Sequence, residues 1–488
     1  MEVVSINPEF NELENPKTLI QHIEELSTSI NNHNKILGAL LKQIEPIDFE
    51  KSANPHNTEN FKLNTKHYTV LAIENIINIA EVNNWGLCKN HNYIYLYNGT
   101  YWNEVDKETF QKFLGEAAEK MTVPKFSAKY YKFRKDLYEQ FLGTAYLEPN
   151  VISNNKVLIN LANGTFEIGI ENTKLRPFDR KDFLTYQLPF EYDPKADAPL
   201  FKSYLNSVLP DLERQKVLAE YLGYVFIKNG CNGLKLEKAL ILFGTGQNGK
   251  SVFFDIVEAL LGKENTSNFS LQSLTNDNGY YRAKIANKIV NYASEINGKL
   301  ESDIFKQLVS GEPVEARLPY GEPFTLKQYA KLIFNCNILP KEIEHTNGFF
   351  RRFLIIPFDV TIQDKDKDPE LAKKIIESEL SGVFNWVLDG LNRVLSQKGF
   401  SNCDAAIKAL ESYKSESDSV QMFLKDNDYI KNSSDYVLIK ELYILYKGFC
   451  IEDGYKPVNK SNFIKRLNNL KIETKRINIG NVAYLSNR

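Results

Sequence analysis

Apolar residues recur at two different spacings along the chain, and these spacings distinguish helical from strand-forming segments. From Leu19 to Ile44 they return every three or four residues, which predicts one amphipathic helix. Such a helix either forms a short coiled coil with another chain or lies on its own domain, and both interpretations remain open. The stretch from Glu45 to Lys66 has no sustained period and contains two prolines, so we predict a linker there.

The next segment, from Tyr68 to Tyr192, alternates short aromatic-rich runs with Lys- and Glu-rich runs, which predicts a mixed α/β domain. Asn-Gly pairs at Asn98 and Asn163 separate strand-like runs and predict hairpin turns. Tyrosines on these strands either stack on nucleic-acid bases or, as is more common, fill a core. This segment alone does not reveal a function.

After a connector at Asp193 to Pro199, helical patterns lead into alternating apolar strands and helices as far as Val360. One helical stretch is predicted from Pro369 to Val394. Beyond a Gly-, Ser- and Asn-rich break, the order is two amphipathic helices, a helix from Lys460 to Leu470 and two short strands about Gly480, which resembles a winged helix. The predicted domains are 1–67, 68–192, 193–395 and 396–488.

Composition places the chain among ordered globular proteins of about three domains, since 43% of its 488 residues are hydrophobic and 25% are charged. Lys and Arg number 60 against 62 Asp and Glu, so any site for a polyanion must be local. The five cysteines include no C-x-x-C pair, which argues against a disulfide framework and a zinc site. The N-terminus lacks a signal pattern and no apolar run approaches the length of a membrane span, so we expect a cytoplasmic protein without membrane association.

The central chemistry is predicted where the apolar strand Ala239 to Phe243 runs into a G-x-x-x-x-G-K-[ST] motif. Glycines let backbone N–H groups turn toward phosphate oxygens, the lysine supplies a cation and the serine hydroxyl can bind Mg²⁺. The helix that follows directs its positive dipole end at the same anion. We therefore predict a nucleoside triphosphate site for ATP and Mg²⁺, formed by Gly244, Thr245, Gly246, Gln247, Asn248, Gly249, Lys250 and Ser251.

Polar residues at the ends of later strands complete this candidate site. Glu295 ends the apolar run from Lys288 and is a candidate for polarising the attacking water or ordering Mg²⁺. Asn337 ends the run from Lys331 and can hold the water or the γ-phosphate without adding charge. Arg351 and Arg352 precede a further apolar strand, and an arginine that reaches a neighbour's γ-phosphate stabilises transition-state charge.

This order of motifs resembles the superfamily 3 helicases, specifically the phage and plasmid primase-helicase group related to the poxvirus primase-helicase. The resemblance rests on GTGQNGKS, VNYASE, KQLVSGEPVEARLPYGEPF, IFNCNILP and FFRRFLIIPF, in that order. Upstream, YLYNGTYWNEV, LINLANGTFEI and LPFEYDPKADAPLFKSYL look like that group's helicase-preceding domain. Downstream, the resemblance extends through VFNWVLDGLNRVL to the winged-helix segment.

The resemblance implies an AAA+-like P-loop ATPase core, a hexameric ring with nucleotide between subunits, and DNA as the partner. It assigns the phosphate role to Lys250, the Mg²⁺ role to Ser251 with Glu295, and the sensor role to Asn337. The finger is Arg352, with Arg351 as a possible contributor. The segment Ser310 to Lys327 corresponds to the family's DNA-gripping hairpin, where Arg317 and Lys327 are the candidates.

Two features depart from the family. Many relatives carry two adjacent acids where this chain has Ser294 before Glu295. Related chains often begin with a polymerising primase domain, but the first 67 residues show no cluster of metal-binding acids. We therefore expect no primer synthesis by this chain, and a primase or initiator encoded separately is a possible partner.

The C-terminal tail is basic within a neutral protein. Winged helices bind DNA or dock proteins, and for the DNA alternative the candidates are Lys460, Lys465, Arg466, Lys475 and Arg476. The sequence thus predicts a replicative DNA helicase of a mobile genetic element that hydrolyses ATP. An origin-binding initiator that remodels duplex without processive unwinding is the first alternative, and a P-loop phosphotransferase is the second.

Overall fold

The computed structural model describes the chain except residues 1–34, 57, 84, 91–92, 146–155, 170–172, 229–233, 295, 297–300, 319–320, 341–343 and 488. It is a mixed α/β structure that divides into two compact units. Unit 1 contains Met1–Ser153 and Arg176–Gln187, and unit 2 contains Asn154–Leu175 and Leu188–Arg488. The four-domain division is finer than this and stays a prediction. No helix in the described ranges is long and apolar enough to cross a membrane.

Unit 1 packs helices around one apolar core and adds a small antiparallel sheet. The sheet order is β1-β2-β3, with Tyr97 paired to Trp102 across the Asn98-Gly99 turn. The hairpin predicted at this turn is therefore present. The elements are α1 (Phe49–Ala53), α2 (Thr65–Val82), β1 (Leu87–Asn90), β2 (Tyr93–Tyr97), β3 (Trp102–Val105), α3 (Lys107–Lys120), α4 (Lys125–Lys129) and α5 (Tyr131–Thr144).

The N-terminal helix is described over residues 35–42; its predicted start lies outside the described residues, and it ends two residues before the predicted Ile44. Leu37 and Leu40 are buried in the core of unit 1. For this part, the interpretation of a helix lying on its own domain is confirmed. The predicted linker is partly wrong, because Asp48 accepts a hydrogen bond from the Lys51 N–H and so caps α1 within it.

Unit 2 is built on a parallel sheet of five strands in the order β13-β7-β12-β9-β8. Its strands are apolar and mostly buried on both faces, which explains why they appear in the sequence as continuous runs rather than alternating ones. A smaller sheet precedes it, with β4 antiparallel to β5. The strands are β4 (Val157–Leu161), β5 (Gly164–Ile168), β6 (Thr173–Arg176), β7 (Ala239–Phe243), β8 (Thr266–Ser267), β9 (Val290–Ala293), β12 (Lys331–Cys336) and β13 (Phe353–Pro357).

Helices of unit 2 cover this sheet and pack tightly on one another. A Cβ atom at Gly223 would lie 2.5 Å from the Leu391 backbone nitrogen. The helix Leu212–Tyr224 and the helix Leu380–Gln397 therefore pack with their backbones in close contact. The helices that precede the C-terminal segment are α6 (Pro199–Val208), α7 (Leu212–Tyr224), α8 (Lys250–Leu261), α9 (Leu271–Thr275), α10 (Tyr280–Lys284), α11 (Ser302–Ser310), α12 (Asn347–Phe350), α13 (Leu371–Ser378), α14 (Leu380–Gln397) and α15 (Asp404–Ser417).

The single helix predicted from Pro369 to Val394 is wrong, because two helices, α13 and α14, meet at Glu379. The Glu379 carboxylate accepts hydrogen bonds from the backbone N–H groups of Leu200 and Phe201 at 3.0 and 2.9 Å. It thereby satisfies two of the unpaired donors at the start of α6. The break therefore serves a contact far away in the sequence.

The predicted hairpin between Ser310 and Lys327 is present as β10 (Val314–Arg317) and β11 (Pro323–Leu326), which pair antiparallel. Beyond the parallel sheet, residues 419–487 enclose their own apolar core. They form α16 (Ser419–Asp426), β14 (Tyr429–Lys431), β15 (Val437–Leu438), α17 (Ile439–Glu452), α18 (Lys460–Asn469), β16 (Thr474–Ile477), β17 (Gly480–Ala483) and β18 (Leu485–Asn487). The sheet order β15-β17-β16 places the Gly480 turn between two antiparallel strands.

Candidate active site

The candidate site lies at the carboxyl edge of the parallel sheet, where the loop after β7 leads into α8. Gly246 and Gly249 in this loop have φ angles of +109° and +83°, which favour glycine. A Cβ atom at Gly249 would lie 2.7 Å from Val208 Cγ1. The Tyr204 hydroxyl donates to the Gly249 carbonyl at 2.7 Å and so fixes the loop against α6. Position 249 thus requires glycine for two reasons: the backbone has a positive φ angle, and Val208 leaves no room for a Cβ atom.

Lys250 is buried at the centre of the site, and its acceptors among the described residues are neutral. Its Nζ donates to the Gly244 carbonyl at 2.6 Å, to Asn248 Oδ1 at 3.1 Å and to Asn337 Oδ1 at 3.2 Å. No carboxylate among the described residues forms an ion pair with it. Burial lowers the pKa of Lys250, so an anion placed here would relieve the cost of burying its charge.

The loop around Lys250 also offers backbone donors. No described residue accepts a hydrogen bond from the N–H groups of residues 245–249. These unpaired donors and the positive end of the α8 dipole form an anion-binding surface. The residues therefore fit the phosphates of a nucleotide.

The Mg²⁺ candidates are placed only in part. Ser251 is exposed in the first turn of α8, next to Lys250. Glu295, which follows Ser294 in the sequence, lies outside the described residues. The described residues contain no group of three or more Asp, Glu, His or Cys that could hold a metal ion. Of the two predicted magnesium ligands, the structure therefore describes only the Ser251 hydroxyl.

The adjacent Arg351 and Arg352 have different environments. Arg352 is 8% exposed, and its Nε and Nη2 donate to Ser310 Oγ at 3.2 and 3.0 Å, while Nη1 donates to the Gly348 carbonyl. Burial lowers the pKa of Arg352. Arg351 has an exposed side chain that pairs with Glu237 Oε2. The Arg352 guanidinium is thus buried and hydrogen-bonded within its own subunit, whereas the Arg351 side chain is exposed to solvent.

Ion pairs extend from Arg351 toward the hairpin. Lys235 Nζ lies 3.1 Å from Glu237 Oε1 and 3.4 Å from Glu312 Oε1. The Glu312 carbonyl accepts from the Tyr329 hydroxyl at 2.8 Å, so the turn before β10 is fastened to the chain after β11. Together these contacts connect Arg351 with the base of the hairpin.

The hairpin candidates Arg317 and Lys327 are both exposed. Arg317 ends β10, and its Nε donates to the Gly321 carbonyl at 2.8 Å, close to the tip. Buried Arg282 on α10 supports this hairpin, since its Nε donates to the Glu315 carbonyl at 2.7 Å. The hairpin is therefore anchored at one strand and presents cations near its ends.

The C-terminal cations fall into two groups. Lys460, Lys465, Lys475 and Arg476 are exposed on α18 and β16. Arg466 is half-buried and its Nη1 donates to Asp418 Oδ1 at 3.1 Å, so it holds α18 against the start of α16. The structure brings Lys250 of the P-loop and Asn337 together, whereas the contact given for the C-terminal group is that of Arg466 with Asp418.

Three residues that contribute to the site were missed from the sequence. Glu237 holds Arg351, Tyr204 fixes Gly249, and Arg282 supports the hairpin. Each acts through a partner distant in the chain, and none belongs to a motif. Only the position of Glu237, two residues before the predicted strand β7, offered a hint.

Family models match three parts of the chain. The model described as "D5 N terminal like" matches residues 80–210, and the one described as "Poxvirus D5 protein-like" matches residues 415–482. A family of unknown function (DUF5906) matches residues 242–352, which include the P-loop and Arg351. The predicted resemblance to the group related to the poxvirus primase-helicase is thus confirmed, and the chain is a relative of the D5-like primase-helicases.

Curated relatives include viral proteins of greater length. "Putative helicase L207/L206" of Acanthamoeba polyphaga mimivirus is 25% identical over 281 residues, which cover 54% of this chain and 28% of the relative. "Putative helicase 184R" of Invertebrate iridescent virus 6 is 24% identical over 374 residues, covering 66% and 37%. The chain thus spans about a third of the length of these relatives. Among solved structures, the NrS-1 C-terminal region (305-718) is 14% identical, with a TM-score of 0.47 over 86% of this chain and 99% of that one.

Proposed function

We propose that this chain is the motor subunit of an ATP-driven replicative DNA helicase with an AAA+-like core. The parallel strands, numbered one to five in chain order, lie in the spatial order 5-1-4-3-2, and the first strand leads into the P-loop. This order supports the core that the family resemblance implies. The relatives whose names include helicase agree with the proposal.

The contact of Lys250 with Asn337 is the observation that carries the proposal. It joins the P-loop after β7 to the end of β12, the neighbouring strand, so both side chains address one phosphate position. In this proposal Lys250 neutralises the β- and γ-phosphates and Asn337 orients the attacking water or the γ-phosphate. Mg²⁺ on Ser251 and Glu295 would supply charge neutralisation when bound.

Arg351 is the arginine finger in this proposal, and it must act on a neighbouring subunit. Phe353 pairs with Ala239, the first residue of β7, whereas the P-loop follows Phe243 at the other end of that strand. Four residues of strand separate these ends by roughly 13 Å. Arg351 therefore lies at the opposite edge of the sheet from the P-loop of its own subunit, which favours a ring with nucleotide at the interfaces.

Glu237 has a specific part in this arrangement. Its carboxylate holds Arg351 in the isolated subunit, and a triphosphate on the neighbouring subunit would compete for the same guanidinium. The Arg351 side chain is exposed and the buried Glu237 carboxylate keeps its ion pair with Lys235, so the exchange costs only about 1 kcal/mol. Glu237 thus holds the Arg351 side chain in place until a neighbouring subunit presents its nucleotide.

DNA contact is assigned to the hairpin of β10 and β11 and to residues 419–487, which we interpret as a winged helix. Arg317 and Lys327 would contact phosphates in the ring channel, and Lys460, Lys465, Lys475 and Arg476 would contact them at the periphery. These exposed C-terminal cations also favour the second candidate, an origin-binding initiator that remodels duplex without processive unwinding. Strand displacement on a forked duplex, measured beside origin footprinting, separates the two functions.

The test of the ATPase is turnover with and without single-stranded DNA, for the parent chain and for Lys250→Ala. The proposal predicts DNA-stimulated turnover that Lys250→Ala abolishes, with unchanged thermal unfolding as the control for folding. Turnover without any DNA stimulation would contradict the motor function. Turnover that survives Lys250→Ala would contradict the site itself.

A further inference from the structure

A second surface with nucleic-acid chemistry lies in unit 1, where α4 ends and α5 begins. Phe126, Tyr130 and Tyr131 have 91%, 52% and 73% of their surface exposed. The rings of Tyr130 and Tyr131 meet edge to face with centroids 4.9 Å apart. Single exposed apolar residues are ordinary, but three aromatic rings within six positions form a patch that needs an explanation. We call these three residues the aromatic platform.

The platform is held on a rigid support. Ala128 and Phe133, which lie between and beside the exposed rings, are buried in the core of unit 1. The Arg134 guanidinium donates to the Ala128 carbonyl at 3.3 Å and ties α5 to α4. The rings are therefore exposed because the helices bury their opposite faces, and the exposure is a property of the fold.

Cations surround the platform. Residues 122–138 contain five Lys and Arg against one acid, Asp136. Four of these cations are exposed lysines, and the fifth is Arg134 of the support. Lys129 is the one with an acidic neighbour, since its Nζ lies 3.9 Å from Glu119. The exposed lysines are Lys125, Lys129, Lys132 and Lys135.

We propose that the aromatic platform and its lysines bind single-stranded nucleic acid in an extended conformation. Flat rings stack on unpaired bases, and interspersed lysines contact the phosphates between them. A duplex hides the faces of its bases, so it would use the lysines alone. This inference deepens the proposed function, from which it takes the expectation of a DNA partner, but it requires neither ATP nor a ring.

The expected effects can be separated by type of side chain. Loss of one stacking ring should weaken binding about fivefold or more, whatever the salt concentration. Loss of two phosphate contacts should reduce the slope of log affinity against log salt by about 1.4. The ring changes test base stacking and the lysine changes test phosphate contact.

The experiment measures fluorescence anisotropy of a labelled oligothymidine with the full chain, without nucleotide, for Phe126→Ala, Tyr131→Ala and the pair Lys125→Gln with Lys132→Gln. Val82→Ala removes an exposed apolar side chain elsewhere in unit 1, and the pair Lys62→Gln with Lys66→Gln removes exposed charge there, so these variants are matched controls. Thermal unfolding establishes that every variant is folded. Photocrosslinking of a halogenated uracil oligonucleotide, mapped by mass spectrometry, locates the contact.

The proposal predicts weaker oligothymidine binding for the ring variants, a shallower salt slope for the lysine pair, and crosslinks to Phe126, Tyr130 or Tyr131. Parent affinity in both ring variants, or crosslinks confined to the hairpin and residues 419–487, would overturn it. Ring variants that lose affinity equally for single-stranded and duplex DNA would also overturn it. So would a parent chain that binds vesicles containing phosphatidylserine through the platform but does not bind oligothymidine there. ATPase turnover without DNA should be unchanged in the ring variants, so failure of the platform and failure of the motor are distinguishable.

Discussion

The two neighbouring arginines give a sharp prediction, because replacing each by alanine should produce a different defect. Arg352→Ala removes a buried guanidinium and leaves Ser310 Oγ, in a residue that is 3% exposed, without two of its donors. An unsatisfied buried hydroxyl and the resulting cavity together cost about 3 kcal/mol. Because unit 2 is large and its unfolding entropy is about 2 cal/mol/K per residue, we expect its unfolding temperature to fall by about 4 °C.

Arg351→Ala removes an exposed side chain, and the buried Glu237 carboxylate keeps its ion pair with Lys235, so the loss is about 1 kcal/mol. Its unfolding temperature should therefore stay close to that of the parent. If Arg351 is the finger, ATP turnover should fall by about 10³-fold or more, and Arg351→Lys should not restore it fully, because lysine lacks the planar fork.

The assays are differential scanning calorimetry and steady-state phosphate release, performed on both variants at one protein concentration. The reasoning is refuted if Arg351→Ala hydrolyses ATP at the parent rate. It is equally refuted if Arg352→Ala unfolds at the parent temperature, since that result would mean that its hydrogen bonds contribute nothing.

Three further changes test other parts of the account. Gly249→Ala should weaken ATP binding at least tenfold in calorimetric titration, because its φ of +83° and the neighbouring Val208 on α6 exclude a methyl group. Gly143→Ala is the control, since open space surrounds Gly143, and it should bind ATP normally. Glu237→Gln should free Arg351 and raise turnover by up to about fivefold at limiting protein concentration, and a loss of turnover would contradict the poised arrangement. Glu220→Ala should cost about 3 kcal/mol in urea unfolding, because the carboxylate is fully buried and accepts three hydrogen bonds; an unchanged midpoint would contradict this.

The sequence was most informative where local chemistry decides the structure. Strand β7 and the start of α8 follow from an apolar run that meets glycines, and the predicted strand Ala239 to Phe243 has the observed bounds. The meeting of Lys250 and Asn337 was also predictable, because the carboxyl ends of parallel strands lie at one edge of a sheet.

The sequence was least informative where distant contacts decide. The family resemblance assigns the finger to Arg352 with Arg351 as a contributor, but the Arg352 guanidinium is buried against Ser310, 42 residues earlier, and the chain gives no sign of that contact. The break between α13 and α14 contains no glycine or proline that would announce it in the sequence. It is placed instead by Glu379, which caps α6 almost 180 residues earlier in the chain. Such partners come from tertiary packing, on which periodicity carries no information.

The most direct measurement of the central claim mixes two inactive subunits. Lys250→Ala lacks the phosphate lysine and Arg351→Ala lacks the finger, so each alone should show almost no ATP turnover. If the site is shared between neighbours, a one-to-one mixture assembles intact interfaces from the two kinds of subunit and should regain about a quarter of the parent turnover. A mixture as inactive as its components, measured under conditions where the parent chain assembles, would contradict a site completed by the neighbouring subunit.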